Sequence, residues 1–189
     1  MSTGSLSSRT VLLVKHAQPE MHASATPREW VLGARGEEQS RDLARRLRPY
    51  LPISIVSSPE PKAVQTARIV AGELGVHFQT LDGLEELDRP SLPIASRDEH
   101  HQVNAPIFET RSLPVLGRES ADAALHRFNA ALARAFTVTA ASQPVVAITH
   151  GTVISLFVEQ QTGRSAFEIW KSLECGEFIT LEVADCASR

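Results

Sequence analysis

The chain is poor in cysteine, in basic charge and in long apolar runs. Its only cysteines are Cys175 and Cys186. Their spacing fits neither a metal-binding pair nor a disulfide framework, so a reducing compartment is expected and the chain is read as cytoplasmic. Lys and Arg number 19 against 22 Asp and Glu, a net charge of -3. Broad nucleic-acid binding usually needs a basic surplus and is not expected here, although a local cation cluster can still hold a small anion. No apolar run approaches the roughly 20 residues that cross a bilayer, so no membrane partner is expected. Ten Gly and eleven Pro in 189 residues are too few for low complexity. The opening stretch, Met1 to Arg9, holds four serines and no apolar core, and reads as a frayed tail rather than a secretory signal.

What the chain does have is alternation. Thr10 to Val14 is a nearly continuous apolar strand, the pattern of a sheet covered on both faces. Gly36 to Arg48 carries Leu43, Ala44 and Leu47 on one helical face and stops near Pro49. Ile53 to Ser57 reads as a second strand. Ser58 to Gly75 reads as a helix with Ser58 as its cap, Pro59 in its first turn and Gly75 at its end. Val76 to Leu81 predicts a third strand. From Asp88 to Gly117 the periodicity fails among Pro90, Pro93, Pro106 and Pro114, and residues 88–118 are read as a small cap segment. Leu125, Phe128, Leu132 and Phe136 restore a helix after Ser120. Val145 to Thr149 is strand-like, Thr152 to Gln161 helical, and Phe178 to Val183 alternates as a last strand. The sum is one α/β domain over residues 10–189, with helices on both faces of a mostly parallel sheet.

Ligands of such sheets bind beyond the carboxyl ends of the strands. Lys15-His16-Ala17-Gln18 follows the first strand, and His150-Gly151 follows the strand ending at Thr149. Lys62 lies just after the second. Two histidines and two lysines therefore converge on one rim. Other singled-out residues have plain readings. His100 and His101 are read as solvent-exposed, Trp30 as a mouth or loop-packing residue, and Arg89, Arg97, Arg111 and Arg118 as solvated loop cations.

Six segments in order resemble the histidine phosphatase superfamily, the phosphoglycerate mutase-like proteins. They are Lys15-His16-Ala17, Gly36 to Ser40, Ser57 to Ala67, Leu84-Glu85-Glu86, Gly117 to Ser120 and His150-Gly151. The resemblance covers nearly all of residues 10–183. It implies a three-layer α/β/α fold and phosphoryl transfer to a histidine, with His16 as nucleophile and His150 as a donor to the phosphoryl oxygens. It further implies Glu86 as general acid with Glu85 as runner-up, phosphate contacts from Lys15, Lys62, Gln18 and Gly151, a small phosphorylated substrate, and no metal or other cofactor. The chain departs from the family at both positions where arginines usually flank the phosphate. Lysine keeps the charge but not the bidentate fork. A phosphomonoester hydrolase is the first expectation. A weak or inactive phosphate-binding or scaffold member, or a phosphomutase, stands as the alternative.

Overall fold

The computed structural model describes residues 8–22, 25–89 and 96–184. Five strands form one sheet: β1 (Ser8–Lys15), β2 (Ser54–Ser57), β3 (Phe78–Thr80), β4 (Val145–Thr149) and β5 (Phe178–Ala184). Their spatial order is β3-β2-β4-β1-β5. All pairings are parallel except that of β1 with the edge strand β5.

Apolar residues alternate across the sheet in two sets. Leu12, Val14, Ile55, Val146 and Ile148 pack on the side of helices α1 (Ala34–Leu47) and α2 (Pro61–Leu74). Val11, Leu13, Val56, Val145 and Ala147 pack on the side of α4 (Ala121–Val138), α5 (Gly151–Thr162) and α6 (Ala166–Ser172). Helices thus cover both faces, which is why β1 and β4 read as unbroken apolar runs rather than alternating ones. Among the described residues, no helix is long and apolar enough to cross a membrane.

Several boundaries differ from the sequence reading. Strand β1 starts at Ser8, so Ser8 and Arg9 pair with Ala184 and Val183 instead of fraying; residues 1–7 lie outside the described set. Helix α2 begins at Pro61, not at Ser58. Glu60 holds its cap position, and the Ser58 hydroxyl accepts from the Glu60 N–H at 3.2 Å. Pro59 precedes the helix, and Pro61 is the proline that suits its first turn. The irregular stretch contains α3 (Arg97–Glu109), capped by Ser96, whose side chain accepts from the Glu99 N–H. Pro106 inside it and a polar face turned to the cleft hide its periodicity. Residues 90–95 of the cap reading lie outside the described set. Gly117 lets the end of that stretch pack on backbone, because a Cβ there would meet the Asp88 carbonyl at 2.1 Å.

Arg9 ties the two ends of this architecture together. Only 4% exposed, it donates to the carbonyls of Phe136, Ala140 and Gln143 and to the Thr139 hydroxyl, around the end of α4. Carbonyls at a helix end lack intrahelical partners, so a buried cation there satisfies several acceptors at once. Arg9→Met should destabilise the fold by about 2–4 kcal/mol, the range for removing one partner of a buried charged network. Urea titration should show a lower midpoint at unchanged slope; an unchanged midpoint would remove this role.

Candidate active site

The parallel register of β1 and β4 pairs Lys15 with Thr149, so both strands end level. The next residue on each is a histidine. The His16 N–H donates to the Thr149 carbonyl at 2.9 Å, and the His16 and His150 rings lie with centroids 5.1 Å apart. The rim opens into a cleft of about 810 Å³, within the usual range for small-molecule sites.

The loop carrying His16 is held by side chains from the flanking helices. The Ala17 N–H donates to the Thr66 hydroxyl at 3.1 Å, and the Gln18 N–H to Gln39 Oε1 at 2.8 Å. Gln65 Oε1 accepts from the Leu32 N–H. Gly36 leaves room for the turn, since a Cβ there would lie 2.2 Å from the Gln18 carbonyl. Gly36, Gln39, Gln65 and Thr66, all from the motif segments, thus brace the loop that carries the nucleophile candidate and its surroundings.

His16 Nδ1 sits 2.8 Å from the Ala17 carbonyl, a contact that only a protonated Nδ1 satisfies. The remaining lone pair is then on Nε2. Burial lowers the His16 pKa to about 3, aided by the Lys62 and Lys15 charges and opposed by the Ala17 bond. His150, fully buried, is also pushed well down, first by burial and then by His16 and Lys62. Both imidazoles are neutral near pH 7. His150 Nε2 lies 2.8 Å from Ser58 Oγ, and its Nδ1 is buried without a hydrogen-bond partner among the described residues.

The two glutamates separate cleanly. Glu86 lines the cleft, and its carboxylate accepts from the Leu87 N–H at 2.9 Å and from the Thr152 N–H, at the start of α5, at 3.1 Å. Glu85 turns away, accepting from the Gly83 N–H and pairing with Arg127 at 3.4 Å. Gln18, Gly151 and both lysines line the cleft as the sequence suggests. The lysine ammonium groups are already engaged. Lys15 Nζ donates to the Leu173 carbonyl at 2.7 Å. Lys62 Nζ donates to the Pro27 carbonyl at 2.7 Å and to Glu60 Oε2 at 2.5 Å.

Glu60 is the site residue that sequence reasoning missed, although it stands within the Ser57–Ala67 segment. An acid two positions before the lysine, in a segment expected to face an anion, was the available signal. His100 and His101 are not solvent-exposed as read. They are half-buried, line the cleft, and place their rings 4.9 and 5.8 Å from that of Trp170. Trp30 and Arg89 also line the cleft, whereas Arg111 is committed to Asp122 and Glu159. Among the described residues, no group of three or more His, Cys, Asp or Glu is placed to hold a metal.

The histidine phosphatase superfamily (branch 1) model matches residues 11–185. The chain belongs to this family. Its fold is shared with solved structures at low identity. A mycobacterial hydrolase aligns with TM-score 0.71 and 20% identity over 96% of this chain and 94% of its own. A mycobacterial glucosyl-3-phosphoglycerate phosphatase gives 0.71 and 20% over 92% and 89%. A phosphoserine phosphatase of Entamoeba histolytica, in a mutant form complexed with phosphoserine, gives 0.68 and 18% over 90% and 89%. No curated protein sequence matches the chain significantly.

The neutral histidines set an acid limit on stability. The folded pKa of His16 lies at about 3, below its ordinary value of 6.5, and that of His150 is also depressed. The unfolded chain therefore takes up protons that the folded chain refuses. Stability should be full above about pH 6.5 and fall as the pH drops from there toward 3. Thermal midpoints measured across this window should decline less steeply for His16→Asn than for the parent. Parallel profiles would contradict the assignment.

Proposed function

We propose that the protein is a phosphomonoester hydrolase that works through a phosphohistidine on His16, without a cofactor. The observation that carries this reading is the fixed tautomer of His16. With Nδ1–H held by the Ala17 carbonyl and the ring neutral, Nε2 offers its lone pair to phosphorus. The new N–P bond forms as the ester P–O bond breaks, and the Glu86 carboxyl gives its proton to the departing oxygen. Water then attacks the phosphorus of the phosphohistidine, Glu86 takes back a proton, and phosphate leaves. The start of α5 at Gly151, together with His150, Lys15, Lys62 and Gln18, surrounds the phosphoryl oxygens in this scheme. Glu86 is preferred to Glu85 because Glu85 is committed to Arg127 and the Gly83 N–H. The phosphatases among the structural neighbours agree with this reaction class. The substrate is a small phosphorylated molecule, and the protein acts in the cytoplasm.

A second reading is favoured by the lysines. To grip a phosphoryl group, Lys62 must leave Glu60, and Lys15 must share its ammonium with the Leu173 carbonyl. A lysine also lacks the fork that follows the equatorial oxygens as the group flattens in the transition state. On this reading the protein binds phosphate and turns it over slowly.

A phosphomonoester panel separates the two readings. Hydrolysis that disappears in His16→Ala, with a phosphoryl mass increment on His16 in the parent after rapid quench, supports the first. Phosphate binding without either signal supports the second. For an active parent, Glu86→Gln should slow an alkyl phosphate by about 10²-fold or more, and an aryl phosphate with a good leaving group far less. Equal losses on both would take the proton-donor role from Glu86.

A further inference from the structure

The floor of the phosphoryl site contains a carboxylate that neither the motif pattern nor the reaction above uses. Glu60 holds the cap position of α2 yet makes no side-chain cap bond to that helix. Its side chain runs under the cleft and is 5% exposed. Oε2 accepts from Lys62 Nζ, and Oε1 accepts from the Glu86 N–H at 2.9 Å while lying 3.7 Å from His150 Nε2. One of the two ammonium groups facing the site thus has a resident counter-ion.

The charged and titratable groups placed beside Glu60 are Lys62 of its own helix, Glu86 of the loop after β3 and His150 at the start of α5; His16, Lys15, Arg28 and Arg89 line the same cleft. Both histidines are neutral, so among the described residues Lys62 is the cation in contact with Glu60. A tetrahedral dianion arriving at His16 therefore meets a buried acceptor that repels it. A phosphoryl group that keeps one acid hydrogen can instead donate O–H to Glu60, a short charge-assisted bond. Sulfate carries no such hydrogen at neutral pH.

We propose that Glu60 makes this site select a phosphoryl group that keeps one acid hydrogen over tetrahedral oxyanions that carry none. The selection rests on the phosphoryl site described under the proposed function. Burial raises the Glu60 carboxyl above its ordinary value, with Lys62 opposing, so the shared proton can reside on either partner. In both cases the complex holds one proton between Glu60 and the bound group. The substrate class that follows is the phosphomonoester captured as its monoanion, favoured below its second ionisation at about pH 6.

Calorimetry with phenylphosphonate, inorganic phosphate and sulfate tests this on the intact chain; the phosphonate dianion, like a phosphomonoester dianion and unlike hydrogen phosphate, carries no acid hydrogen. At about pH 8, titration in two buffers of different ionisation enthalpy should show uptake of about one proton per phenylphosphonate bound, whereas hydrogen phosphate brings its own proton. Phosphate should bind tighter than sulfate by on the order of tenfold or more, the scale expected when like charges are juxtaposed in a buried site. Glu60→Gln should abolish the proton uptake and bring sulfate to within a few-fold of phosphate. Phenylphosphonate binding without proton uptake, or equal affinity for phosphate and sulfate in the parent, overturns the role of Glu60 while leaving the phosphoryl site standing. Failure of all three anions to bind parent and variant alike overturns the phosphoryl site itself, and the selection with it. The proton count needs only the parent, so a variant that folds poorly does not remove the test.

Discussion

The parallel pairing of β1 with β4 is the constraint on which the site depends. Its register sets Lys15 opposite Thr149 and so delivers His16 and His150 to the same level of the rim. A slip of one residue would turn each side chain to the other face of the sheet and break both apolar packings together. The two cores therefore guard the histidine spacing against such a slip. Burial, which the packing imposes, also keeps both rings neutral. The geometry and the protonation of the two histidines share one cause.

Charge balance in the cleft is the other constraint. A cleft proposed to hold phosphate is expected to concentrate positive charge. Here the ammonium of Lys62 is matched by a buried carboxylate, and that of Lys15 is bonded to the Leu173 carbonyl just past α6. Beside Glu86, Arg127 gathers Glu119 and Glu85 and donates to the Gly83 and Glu85 carbonyls. That clamp holds Glu85 away while Glu86, next in sequence, faces the cleft. Two neighbours in sequence thus face opposite ways.

Much of this was legible in the sequence, and for physical reasons. Strands β1 and β4 announce themselves because a sheet covered on both faces needs unbroken apolar runs. The histidines were findable because strand ends are where such sheets bind ligands. Helix α3 was not legible: Asn104, His100 and His101 face the cleft, so its inner stripe is polar, and Pro106 interrupts it. Helix α6 has seven residues, too few to establish a period. Glu60 was hidden for another reason. A motif records which residues recur, and an acid at one of its unassigned positions looks like any surface charge until the backbone shows where it points.

The His16 loop is braced before any ligand arrives. Three consecutive peptide N–H groups are each bound by a different element: His16 by β4, Ala17 by Thr66 of α2, and Gln18 by Gln39 of α1. The ring is fixed in turn through Nδ1. The conformational entropy of that loop is lost when the chain folds, so a ligand entering the cleft does not have to order it. The imidazole stands oriented in advance, and the contacts made by whatever binds there go to holding it rather than to ordering the protein.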